Sequence, residues 1–165
     1  MKDLPKIKQI SCGLDHFVGV DHEGKVWAMG DDTFGQCGQG GDQRKAVAPF
    51  FEIRHRTPQQ VPIFEKVTKV VCGFRHSLAI TESGKLLGWG FNSMQQLSHA
   101  EEYADPDNPS HALFSPTWMG GEDLENKHVV EVAAGEEHTI VVAQVIEDGK
   151  PVKELVYGCG NNLKG

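Results

Sequence analysis

The sequence predicts an all-β protein, a partial β-propeller of about three four-stranded blades, incomplete relative to a closed ring. Three observations predict it. A Gly-x-x-His motif occurs at Gly13 to His16, Gly73 to His76 and Gly135 to His138, at spacings of 60 and 62 residues. Around each copy lie short runs in which apolar residues alternate, the period of a strand with one buried face. Helical periodicity is scarce, and 19 glycines punctuate the runs. A sheet of about four short strands cannot bury both faces alone, and stacking copies radially does so.

The elements follow in the same order in each unit. A β-rich segment precedes each motif: "KIKQISC", "KVTKVVC" and "HVVEVAA". After each His, apolar residues recur at alternate positions: Val18 and Val20, Leu78 and Ile80, Ile140 and Val142. The turns "DHEGK" and "TESGK" place Gly24 and Gly84 where a tight hairpin needs positive φ. The next strand, "KVWAMG", "KLLGWG" or "ELVYGCG", ends on Gly30, Gly90 or Gly160. The third hairpin, "AQVIEDGKPVKELVYG", is longer and predicts two extended arms. A loop follows each strand: "GDDTFGQCG", "GFNSMQQLS" and "GNNLKG". The second has Gln95 and Ser98 in place of Gly35 and Gly38, which predicts a different backbone there, since glycine alone takes positive φ cheaply. "TPQQV" and "SPTWM", 58 residues apart, mark edge strands with proline at the strand start. The units therefore read as 1–57, 58–115 and 116–165, with insertions at 41–56 and 99–114 and the third unit truncated in its loop.

Composition narrows the function classes. The net charge of −7 argues against direct nucleic-acid binding, which needs clustered Lys and Arg. A basic protein surface remains compatible with it. No stretch approaches the ~20 apolar residues of a membrane span. The four cysteines form no C-x-x-C pair, which leaves a zinc knuckle unsupported and fits a reducing intracellular compartment.

The motif with its flanks, and the Gly35-Gln36-Cys37-Gly38 loop, resemble the regulator of chromosome condensation repeat over about residues 6–38, 58–98 and 116–165. Propellers of that family usually have about seven blades. The resemblance thus implies a piece of a longer protein, or a partial propeller completed by a second chain, poorly stable alone because its end blades expose strand edges. In the nuclear exchange factor of that family, acidic and His residues on such loops contact a small GTPase. Asp15, Asp32 and Glu136 match that role here, and Arg75 stands on the same loops. "FGQCGQ" resembles mitochondrial members of the family, which gives a lean toward an accessory or assembly role there.

The structural positions are Gly13, His16, Gly30, Gly73, His76, Gly90, Gly135, His138 and Gly160. The three His lie on different blades and are expected to bond backbone near the axis rather than to gather round a metal. Cys12 and Cys72 read as repeat-equivalent core fillers. No nucleophile stands with a paired base, so neither enzyme activity nor a cofactor is expected. The first insertion sets Phe50, Phe51, Arg54 and Arg56 in a basic-aromatic run, residue types that dominate protein interfaces. The second is acidic, with one helical turn at "AEEYA". The sequence thus reads as a protein-binding scaffold. Its expected partners are neighbouring subunits of a complex or a small GTPase, with nucleotide exchange as the alternative activity.

Overall fold

A computed structural model describes residues 5–41, 53–98 and 111–163. The first sheet holds β1 (Ile7–Cys12), β2 (His16–Asp21), β3 (Val26–Asp31) and β4 (Arg54–Gln60), paired antiparallel in that order. The second repeats it with β5 (Val67–Cys72), β6 (His76–Thr81), β7 (Leu86–Gly90) and β8 (Leu113–Trp118). A single turn of helix, α1 (Gly121–Leu124), leads into the third. That sheet holds β9 (Lys127–Ala134), β10 (His138–Glu147) and β11 (Lys150–Gly160), three strands among the described residues. β10 and β11 run 10 and 11 residues, and their far ends form the exposed arms implied by the longer hairpin.

Alternation along each strand splits its residues between two neighbours. In β2, Val18 and Val20 point to the second sheet and meet Val70, Cys72, Ala79 and Trp89 in one core. In β6, the equivalent Leu78 and Ile80 point onward to the third sheet and meet Val129, Val132, Val141 and Ala143 in a second core. Each sheet thus has a leading face, toward the sheet before it, and a trailing face, toward the one after. The cores lie between sheets, so no blade owns a core.

Two sequence expectations change. Pro58 and Pro116 lie inside β4 and β8, where the register against β3 and β7 shifts between Ala28 and Gly30 and between Gly88 and Gly90. The missing N–H falls in this irregular stretch of an outermost strand, where proline costs no ladder bond. The unit boundaries expected at 57 and 115 therefore fall within β4 and β8, and the sheets span 7–60, 67–118 and 127–160. The second loop also keeps the backbone of the first. Gln95 and Ser98 sit at φ 58° and 52°, beside 78° and 67° for Gly35 and Gly38. The loop hydrogen bonds hold the side-chain-bearing residues in the left-handed region.

Candidate functional site at the upper rim

Strand direction places the Gly-x-x-His turns and the loops after β3 and β7 at one end of the sheets, the upper rim. The hairpin turns at Gly24 and Gly84 lie at the other. Each turn closes alike: the amide of Gly13, Gly73 or Gly135 donates to the carbonyl of its own motif His. Glycine is required here by space. A Cβ at Gly13 would lie 2.2 Å from the His16 ring, and at Gly73 2.1 Å from the His76 ring.

The rings tie one sheet to the next. His16 Nε2 lies 2.9 Å from Ser77 Oγ, and Ser77 in turn donates to the Gln36 carbonyl at 2.8 Å. Ser77 has one proton, so His16 carries its proton on Nε2. Trp89 Nε1–H donates to the same carbonyl at 3.0 Å. At the next junction His76 Nε2 lies 3.3 Å from Thr139 Oγ1, and Cys159 Sγ–H donates to the Gln96 carbonyl. Burial lowers both rings from 6.5 to about 4. Asp31 and Asp15 oppose that shift at His16, whereas His16 and His138 add to it at His76. These rings are joints between blades. Burial also pushes the Cys72 thiol up to about 12 and raises Cys37, so both behave as small apolar groups.

Asp32 belongs to the interior of the rim loop, not to its surface. It is buried; Oδ1 accepts the Cys37 amide at 2.8 Å and Oδ2 lies 2.9 Å from His55 Nε2. Burial raises its carboxyl above the ordinary value, against the pull of the Cys37 amide and His55. Asp31 is likewise occupied, by Thr33 Oγ1 and Gln36 Nε2. Neither reaches a partner without unmaking the loop.

The other rim residues do face outward. Asp15 and Glu136 are exposed, and Arg75 is half-buried. Its guanidinium lies 5.2 Å from the centroid of Phe34 and 5.5 Å from that of Phe74, within cation–π range of both. Phe34 meets Phe91 edge-on at 5.1 Å. Leu14 and Phe74 remain 47% and 36% exposed. They border a shallow depression of about 350 Å³ among the Gly13, Gly73 and Gly135 turns. Leu14 and Phe74 escaped the sequence reading because they occupy variable positions of the motif. The spacing Gly-x-x-His forces its first x outward, and that was the available signal. Arg54 and Arg56 are exposed on β4, away from this depression. Phe50, Phe51 and the helical turn expected at "AEEYA" lie outside the described residues. Among the described residues no group of three or more His, Cys, Asp or Glu is arranged to hold a metal ion.

Models of the Regulator of chromosome condensation (RCC1) repeat match residues 23–80 and 83–142 in one version and 7–36 and 67–96 in another. The human Regulator of chromosome condensation is 30% identical over 81% of this chain and 28% of that protein. A human RCC1-like G exchanging factor-like protein is 34% identical over 78% of this chain and 25% of that protein. The human Probable E3 ubiquitin-protein ligase HERC3 is 30% identical over 84% of this chain but 12% of that protein. Prp20p from Saccharomyces cerevisiae shares the fold, with a TM-score of 0.72 at 18% identity over 90% of this chain and 33% of that one. Yeast RCC1 (Prp20) bound to Kap60 gives 0.68 at 26% identity over 97% and 31%. The chain thus spans between 12% and 28% of these curated relatives. With the repeat models covering most of its sheets, and with three Gly-x-x-His turns built alike, the chain belongs to the regulator of chromosome condensation repeat family.

Proposed function

We propose that this chain is a protein-binding module, and that it engages its partner through the upper rim around the Gly-x-x-His turns. The observation that carries the reading is the exposed pair Leu14 and Phe74 beside an arginine held between two aromatic rings, with Asp15 and Glu136 around them. Apolar anchors, a preordered Arg and a charged rim are the usual parts of a protein interface. With a net charge of −7, the fitting surface is a basic one. Among the relatives, Prp20p is described with its binding to Gsp1p and histones, and yeast RCC1 as bound to Kap60. The test is binding of the co-purifying partner to the full natural protein carrying Leu14→Ala with Phe74→Ala, or Arg75→Ala. Each change should weaken binding at least tenfold. Phe64→Ala, on a residue fully exposed between β4 and β5, should not. Equal binding by all of them would refute the reading.

A second reading, acceleration of nucleotide release from a small GTPase, is favoured by the name of the 34% identical relative. On this reading Asp15 and Glu136 carry the contacts, while Asp32 acts only through the loop it organises. Release rates with Asp15→Ala and Glu136→Ala in the full protein test it, and unchanged rates would exclude it. The ligase in the name of HERC3 is that protein's, and nothing in this reading rests on it. Neither the geometry nor those relatives supports a mitochondrial setting.

A further inference from the structure

The three sheets bury equivalent faces against their neighbours, and one set of positions departs from the rule. The leading faces of the second and third sheets each offer an oxygen to the preceding His, Ser77 and Thr139. Each also offers a donor to the preceding rim-loop carbonyl, Trp89 and Cys159. These residues are cross-strand partners, Ser77 with Trp89 and Thr139 with Cys159. In the first sheet the same two positions are Phe17 and Met29, again directly paired. Phe17 has no lone pair to accept from a His, and Met29 has no proton to donate to a carbonyl. Ile10 is 58% exposed, whereas its counterparts Val70 and Val132 are almost wholly buried beneath the preceding sheet.

We infer that the leading face of the first sheet seats a repeat blade of a different kind, one with an apolar residue where the blades here carry His16 and His76. Continuity with the two junctions present says that a sheet belongs there, because the same strand positions in the next two sheets are covered by one. The pair Phe17 and Met29 says what that sheet presents. A blade with the usual His would leave a buried Nε2–H opposite a phenyl ring. A second copy of this chain, docked head to tail, would do that with His138, which stands at the His16 position of the third sheet. The two open faces of the arc are therefore not complementary to each other.

The test uses the full natural protein, with any chains that co-purify. N-ethylmaleimide labelling with mass spectrometry reads Cys12, which lies on this face opposite Phe17 and is exposed in the chain described here. It should react at least tenfold more slowly than in the denatured protein, as buried Cys72 does. Rapid labelling of Cys12 with Cys72 protected means a bare face and overturns the proposal. Thermal unfolding of Phe17→Ser and Phe17→Leu then reads the chemistry of the occupant. Serine should lower the transition by several degrees more than leucine does, since an apolar seat loses contact and gains no bond. A transition raised by serine means that a His is waiting there, and equal transitions mean that Phe17 packs on nothing; either overturns it. So does a native mass of two copies with no other chain while Cys12 is protected.

Discussion

The first rim loop, residues 31–38, and the second, residues 91–98, take one backbone path from different residues. In both, a side-chain oxygen two positions after Gly30 or Gly90 accepts an amide five residues on: Asp32 from Cys37, Asn92 from Leu97. In both, a glutamine Oε1 reaches back to an amide, Gln36 to Phe34 and Gln96 to Met94. The loops differ at the turn corners, where Gly35 and Gly38 are replaced by Gln95 and Ser98 at positive φ. What differs around them is the wall. A Cβ on Gly35 would lie 2.7 Å from the Phe114 Cα of the next sheet, and on Gly38 2.9 Å from Trp89 Nε1. Gln95 and Ser98 are exposed. Hydrogen bonds set the path, and packing decides where only glycine fits.

Acid gives the largest expected effect, through the rings on which both loops rest. Unfolded His16 and His76 titrate near 6.5, and the buried rings near 4. Above 6.5 both states are neutral. As pH falls from 6.5 toward 4 only the unfolded chain takes up the protons, so stability is lost across that window and no further below it. The loss is up to roughly 3 kcal/mol per ring. Denaturant midpoints of the full protein between pH 7 and 4 measure it. Asp31→Asn sharpens the comparison, because Asp31 favours the charged His16 and the second loop has Phe91 there. The variant should lose more stability in acid than the parent.

Gly35→Ala comes next. It combines left-handed backbone strain with a collision against backbone, about 2–5 kcal/mol together. Gln95→Ala, at the equivalent corner, should stay within ~0.5 kcal/mol. A loss of only about 1–2 kcal/mol at Gly35, the left-handed strain by itself, would mean that φ, and not the wall, selects the glycine.

These sites also separate what was legible in the sequence from what was not. The strands, the junction His and the glycine that makes room for each ring all recur at one spacing, and repetition made them visible. Phe17 among Ser77 and Thr139 broke no strand pattern, and its meaning needed the partner across the junction. The corner at Gln95 was misread because a loop backbone held by remote hydrogen bonds does not follow local propensity. Asp32 was matched through the family resemblance to a GTPase-contacting loop position, which presumes that it is exposed. Its burial depends on His55, 23 residues away across an insertion.

A smaller effect tests that last point. Asp32→Asn turns the first loop toward the second. The amide oxygen still accepts from Cys37, as Asn92 does from Leu97, but the charge opposite His55 is lost, for about 1 kcal/mol or less at neutral pH. The sign with pH is opposite to that of the rings. The buried carboxyl titrates above its ordinary 3.8, so the folded state takes up the proton first. The parent should therefore gain on the variant as pH falls toward 3.8. A variant that instead loses several kcal/mol would mean that the contact between Asp32 and His55, and not the shared amide bond, holds the loop.

Gln95→Gly is the smallest change and the only one expected to stabilise. Glycine relieves the strain of φ 58° and gives back part of the gain as unfolded-chain entropy, leaving about 0.5–1 kcal/mol. The thermal transition of the full protein should rise by a degree or two, with partner binding unchanged, since Gln95 lies outside the depression between the Gly-x-x-His turns. If stability falls instead, the Gln95 side chain is itself holding the corner. The two loops would then share a path for different reasons, one held open by packing and the other held in place by its own residue.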